Sequence, residues 1–205
     1  MEKKYKKARA IYLNIKSIIQ NEKFKNQLNE FEKAIEKLII EYNTANWENR
    51  FVVGGALEVL FCAFLNSIGF KTKWLKEARY DIEINGIKYS MKSNFTGRGD
   101  IRLINILGDE KVKWEEPTLF FISGVGICYA DPSMNLSTKH TSDALIIRTK
   151  DIKSMIKKDD KWLICIKIPK KRKNSDEIRI ASYDVAKSIL EEIKSKHLRK
   201  YLQEI

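Results

Sequence analysis

An aspartate, a serine and a lysine stand close together in the stretch Arg79 to Asn94, Arg-Tyr-Asp-Ile-Glu-Ile-Asn-Gly-Ile-Lys-Tyr-Ser-Met-Lys-Ser-Asn. Two alternating apolar runs, Tyr80, Ile82, Ile84 and Ile87, Tyr89, Met91, flank Asn85-Gly86. An Asn-Gly pair between such runs is the strongest short-range signal for a two-residue type I′ hairpin. That turn dictates a register in which Ile84 opposes Ile87, Glu83 opposes Lys88 and Asp81 opposes Ser90, with Lys92 one diagonal step further on. Alternation then sends Asp81, Glu83, Lys88, Ser90 and Lys92 to one side of the hairpin and the apolar residues to the other. Directly opposed Cβ atoms lie roughly 4.5 to 5.5 Å apart, so a carboxylate, a hydroxyl and an ammonium converge within reach of one ion or phosphate. The same residues also suit the solvated face of an ordinary hairpin, with Glu83 and Lys88 as a cross-strand ion pair.

The elements around the hairpin must position this set. Asn46 can cap a helix from Trp47 to about Ser67, stopped by Gly69 and apolar nearly all round. Glu58 is its one interior charge, with Gly54 and Gly55 one turn before it. Each glycine inside a helix costs about 1 kcal/mol relative to alanine, so a close approach is expected there. A carboxylate held from water must be paired, metal-bound or protonated; the alternative is a Glu58 at the helix edge, solvated or bonded to a lysine. Upstream, Ala8, Ile11, Tyr12, Ile15, Ile18 and Ile19 have helical spacing. Phe24, Leu28, Phe31, Ile35, Leu38 and Tyr42 form a heptad-like seam for packing on the same domain or, less simply, for a second subunit. Residues 1–45 read as an N-terminal helical arm, for packing or dimerisation, and 46–205 as the core domain. Downstream, the periodicity predicts a strand over 70–75, a loop from Ser93 to Arg102, one buried strand over 118–130 broken by Gly124 and Gly126, and a loop over 131–142. A strand over 144–148, a short helix over 150–157, a strand over 162–168 and a helix capped by Ser182 follow. Ile101 to Leu107 is too short to assign.

The 39 basic and 27 acidic residues leave a net charge of +12 in a chain of 205 residues, which points to a polyanionic partner, nucleic acid first. A lysine-rich composition without functional meaning is the alternative. Cys62, Cys128 and Cys165 are odd in number, widely spaced and set in apolar sequence, and read as reduced core residues of a cytoplasmic, prokaryotic, intracellular protein. His140 and His197, the only histidines, lack partners at metal-ligand spacing, which argues against histidine-based hydrolysis and against zinc. Neither a secretory leader nor a run approaching a membrane span is evident, so no membrane partner is expected.

Taken in order, a helix bearing Glu58, a strand, a strand with Asp81, a strand with Ser90 and Lys92, and a buried strand beyond, the chain resembles the PD-(D/E)XK nuclease superfamily, and within it the type II restriction endonucleases. The resemblance spans about Trp47 to Ala130. It implies an α/β (α+β) fold with a mixed central sheet flanked by helices. By the same resemblance Asp81 matches the first acid, Ser90-Met91-Lys92 the acid-any-lysine tripeptide, and Glu58 the helix glutamate. Tyr80 replaces the motif's proline and Ser90 its second carboxylate; a hydroxyl is a poorer ligand for a hard cation than an anionic oxygen. The family likeness implies Mg2+ held by Asp81, Glu58 and the Met91 carbonyl, with Lys92 beside it, and no small-molecule cofactor. The implied activity is sequence-specific cleavage of a short palindrome in double-stranded DNA by a homodimer, since a twofold target suits a twofold protein.

Asn94, Arg98 and Arg102 are the candidates for base edges, because arginine pairs with guanine and asparagine with adenine. Lys139, His140, Lys170, Lys171, Arg172 and Lys173 are candidates for phosphates, or are simply solvated loop charges. A structure-selective repair or junction nuclease, a non-catalytic DNA-binding module on the same scaffold, and a polyanion-binding interaction protein are the competing readings.

Overall fold

The computed structural model describes residues 2–42, 47–75, 77–106, 112–170 and 181–205. Asn46, Leu107, Lys171, Arg172 and Lys173, named above, lie outside them. The chain is a mixed α+β fold in which a central mixed sheet is flanked by helices.

The hairpin forms as its sequence dictates. Strands β2 (Ile82–Ile84) and β3 (Ile87–Asn94) pair Ile84 with Ile87, Glu83 with Lys88 and Ile82 with Tyr89. Both turn residues take positive φ, 48° at Asn85 and 79° at Gly86, as a type I′ turn requires. The expected Glu83–Lys88 ion pair does not form: the Lys88 ammonium reaches Glu77, 2.6 Å away, which leaves the strand edge and meets it from the preceding loop.

The six-stranded sheet runs β1-β2-β3-β5-β6-β9, where β1 is Thr72–Trp74, β5 Thr118–Ile122, β6 Gly126–Ala130 and β9 Leu163–Ile164. Among the described residues, β3–β5 is the one parallel pair of this sheet. Parallel neighbours need a crossover. Here it carries β4 (Asp100–Asn105), which leaves for a second sheet of order β4-β8-β7 with β7 Thr138–His140 and β8 Ala144–Arg148.

Several sequence expectations need correction. Residues 118–130 are two antiparallel strands, because Gly124 at φ 71° reverses the chain and Val125 N–H closes the turn on Ile122 O. The loop expected up to Arg102 is shorter, since β3 continues to Asn94 and β4 begins at Asp100. The 131–142 loop contains β7, and only Leu163–Ile164 of the 162–168 run is strand. Helix α4 (Thr149–Lys158) was expected. Helix α5 (Ser182–Glu192) starts as expected, but Ala181 occupies the cap position and Ser182 makes no cap bond.

Three helices supply most of the remaining core. α1 (Glu2–Ile19) buries Tyr5, Ala8, Tyr12, Ile15 and Ile19 at helical spacing. Its tyrosines also act as rivets: Tyr5 donates to Glu115 O and Tyr12 to Ile127 O, while Tyr89 of β3 donates back to Ala8 O, each over 2.9 Å. α2 (Lys25–Glu41) uses its heptad-like seam inside the molecule. Phe31 stacks on Phe64 of the following helix at 4.7 Å, and Ile35, Leu38 and Ile39 are buried beside it. Both helices belong to the same hydrophobic core as the sheet.

α3 (Trp47–Ser67) is the central helix. Contrary to expectation, Asn49–Ser67 is long and apolar enough to cross a bilayer, with mean hydropathy 1.4, yet 67% of it is buried among its neighbours in the fold. Its two glycines differ. A Cβ at Gly55 would lie 2.5 Å from Ser182 Oγ, so this is where α5 begins against α3, whereas a Cβ at Gly54 would meet nothing within 4 Å. Cys62 and Cys128 are buried free thiols, but Cys165, expected in the core, is exposed beyond the end of β9.

Candidate active site

Asp81 stands just before β2, yet its backbone is held like a strand residue: its N–H donates to Tyr89 O over 2.9 Å and its carbonyl accepts from Leu75 N–H over 2.8 Å. Its Oδ2 then gathers two hydrogen-bond donors and one cation from β3. Ser90 Oγ lies at 3.0 Å, the Met91 N–H is in direct hydrogen bond, and Lys92 Nζ is 3.6 Å away. Strand alternation explains why three consecutive residues can all serve one carboxylate oxygen. Ser90 N–H points to β5, where it meets Pro117 O over 3.0 Å, so Met91 N–H points to the opposite edge, where β2 has ended. The N–H and C=O of an extended residue leave the strand on the same edge, so the Met91 carbonyl emerges on the Asp81 side.

Glu58 comes to this site from α3 and is half-buried. Its Oε2 accepts the indole N–H of Trp74 over 2.8 Å. Burial, followed by the negative charge of Asp81, pushes its carboxyl up to about 8, against the opposing pull of the Trp74 hydrogen bond and the Lys92 charge. Glu58 therefore feels the charges of both Asp81 and Lys92. Ser90 is buried and acts as a donor to Asp81, fixing its rotamer. Asp81 and Lys92 keep an opening to solvent, with side chains 22% and 26% exposed.

Among the described residues, no group of three or more His, Cys, Asp and Glu side chains comes together. The site offers two carboxylates and a strand-edge carbonyl, all oxygen, which suits a small hard cation that retains several waters. Burial first, and the negative charge of Asp81 second, favour a protonated Glu58, and a cation between the two carboxylates would offset both. By donor chemistry and charge the residues fit Mg2+.

The candidate DNA contacts separate into distinct environments. Asn94 was expected at base edges; it is instead buried, and its amide organises the loop that follows. Its Oδ1 accepts from Thr96 N–H, Thr96 Oγ1 and Gly97 N–H, and its Nδ2 donates to Arg98 O and Thr149 Oγ1. That loop presents Arg98, which is exposed and has no side-chain partner among the described residues. Arg102 on β4 pairs with Asp143 at 2.6 Å, and His140 Nε2 lies 2.9 Å from Val112 O. Lys139 and Lys170 are exposed. Arg102 and Lys139 both pair across to Ile146 of β8, so they share one face of the small sheet.

Sequence reasoning missed Trp74 and the Arg9–Asp131 cluster. A tryptophan closing a predicted strand needs a partner for its N–H, which is a signal, but nothing in the sequence names Glu58 as that partner. Asp131 is fully buried and takes Arg9 through two nitrogens at 2.8 and 2.9 Å, together with Tyr129 Oη and Ser133. Compared with known proteins, the chain matches no family model, no curated protein and no solved structure.

Proposed function

We propose that this protein is a Mg2+-dependent endonuclease that hydrolyses phosphodiester bonds in double-stranded DNA, reading a short palindromic site as a homodimer in the manner of a type II restriction enzyme. One observation carries the reading: the Asp81 carboxylate stands 3.6 Å from the Lys92 ammonium at a point open to solvent, and Glu58 of α3, remote in sequence, feels both charges. When bound there, Mg2+ would supply charge neutralisation at the phosphoryl group and a water of lowered pKa. The protein's own residues do the rest. Ser90 and the Met91 N–H hold Asp81 in one orientation, so its second oxygen is presented without reorganisation. Lys92 places an ammonium group beside that carboxylate, where it can stabilise negative charge developing on the phosphate or orient an attacking water. Arg98, on its braced loop six residues further along the chain, is the best-placed group for a base edge, and Lys139 and Lys170 suit phosphates.

The decisive experiment incubates plasmid DNA with the protein and Mg2+. Discrete bands are expected from wild type, and a loss of at least about a hundredfold in rate from Asp81→Ala or Lys92→Ala, with binding retained. Full cleavage by either variant would refute the assignment. Among the described residues no third acidic side chain joins the two, which favours one second reading, a DNA-binding module without cleavage activity; it predicts duplex binding that does not respond to divalent ions.

A further inference from the structure

Trp74 closes β1, an edge strand of the central sheet, and it lies between two anchors. On one side its indole N–H meets Glu58 Oε2 at 2.8 Å. On the other, the next residue, Leu75, donates its N–H to the carbonyl of Asp81 at 2.8 Å. β1 is also fastened to α3 two residues earlier. Thr72 Oγ1 reaches Cys62 O at 3.1 Å and Asn66 Oδ1 at 2.8 Å, and Thr72 N–H bonds the same Asn66 oxygen at 2.9 Å. A strand held at Thr72 cannot slide along the helix, so the indole is carried to a fixed height opposite Glu58. The ring packs beside Gly55 of α3, where a Cβ would stand at an ordinary contact distance of 3.7 Å from it. The chain from Thr72 to Asp81 thus links the element bearing Glu58 to the one bearing Asp81, with Trp74 at the join.

We propose that Trp74 is a positioning residue of the active site, which engages Glu58 Oε2 so that Oε1 remains as the oxygen offered to a cation shared with Asp81. This rests on the nuclease reading of the site. Hydrogen-bonded partners that orient a ligating carboxylate matter nearly as much as the ligand. Phenylalanine at position 74 would keep most of the ring packing and remove the orienting N–H, freeing the carboxylate to rotate.

The test is Mn2+ binding, followed by the electron paramagnetic resonance signal of free Mn2+, with no DNA present. The variants are Trp74→Phe, Glu58→Gln, the double variant, and Trp74→His, which is smaller but keeps a ring N–H. Wild type is expected to take up Mn2+, and Trp74→Phe to bind about ten- to a hundredfold more weakly. The double variant should bind as Glu58→Gln alone, since Trp74 acts only through Glu58, and Trp74→His should bind more tightly than Trp74→Phe. Equal binding by wild type and Trp74→Phe, losses that multiply in the double variant, or Trp74→His weaker than Trp74→Phe would each overturn the assignment. No uptake by wild type would instead overturn the metal-site reading, and the role of Trp74 with it.

Discussion

At the scale of single residues, the buried Asp131 and the half-buried Glu58 are treated in opposite ways. Asp131 has burial pushing its carboxyl up, but hydrogen bonds from Arg9, Ser133 and Tyr129 outweigh it and hold the group below its usual 3.8. Glu58 has one indole N–H and an acidic neighbour, and sits at about 8. The signs of their contributions to stability therefore differ. For Glu58 the unfolded chain releases its proton near 4.5 and the folded chain near 8, so between those values the unfolded state binds fewer protons. Stability must fall as pH rises through that window, at up to about 1.4 kcal/mol per pH unit. Thermal melts from pH 5 to 8 should show this decline in wild type and lose it in Glu58→Gln; an unchanged slope in the variant would mean that Glu58 is not held protonated in the folded chain. For Asp131 the contribution is complete above 3.8 and is lost as pH falls through its lower folded value. Arg9→Ala leaves that carboxylate buried without its counter-ion and should cost about 3 kcal/mol or more in denaturant unfolding. Arg9→Met with Asp131→Asn should cost less than Arg9→Ala, since no uncompensated charge remains.

At the scale of elements, the two adjacent glycines of α3 separate local preference from tertiary demand. Gly55→Ala would drive a methyl group to 2.5 Å from Ser182 Oγ and 2.8 Å from its Cβ, so α5 would have to retreat. Gly54→Ala meets open space and should stabilise the helix by about 1 kcal/mol. Chemical denaturation should show opposite signs for the two variants, and a stabilised Gly55→Ala would mean that the start of α5 yields easily. In the sequence the glycine pair marked a close approach but not which neighbour approached. The same limit recurs elsewhere. The hairpin register was legible because Asn85-Gly86 fixes the turn and alternation fixes the faces, both local rules. The helices were legible from periodicity. The reversal at Gly124 was not, since an apolar run buried on both sides carries no alternation to show where one strand ends and its partner begins. Asn94 misled for a related reason: an asparagine that braces a loop and one that reads a base are the same residue type, and only its burial, with Thr149 bonded from far along the chain, separates them. Trp74 and Glu58 meet through β1 and α3, a tertiary contact that no spacing encodes.

At the scale of the whole molecule, the charge of +12 must be related to where the cations stand. Several lysines and arginines are used internally, as Arg9 is on Asp131, Arg148 on Asp151 and Lys153 on the Gly97 carbonyl. The exposed remainder includes Arg98, Lys139, Lys150, Lys157 and Lys158. If duplex DNA is the partner, each neutralised phosphate contributes about −0.9 to the slope of log affinity against log salt. Lys139→Ala should make that slope shallower by about one and weaken binding to every sequence alike. Arg98 differs because its loop is preorganised: Asn94 and Lys153 hold it from both sides, and Gly97, at φ 69°, packs so tightly that a Cβ would lie 2.5 Å from Ser123 O. A side chain on so rigid a support reads position well, so Arg98→Ala should lower the ratio of specific to non-specific binding while moving the salt slope little. Gly97→Ala, which strains the support without touching Arg98, should lower the same ratio. Fluorescence anisotropy across roughly 50 to 200 mM salt measures all of these. If Arg98→Ala and Lys139→Ala instead weaken binding identically on all duplexes, Arg98 is one more phosphate contact, and sequence is read by some other part of the surface.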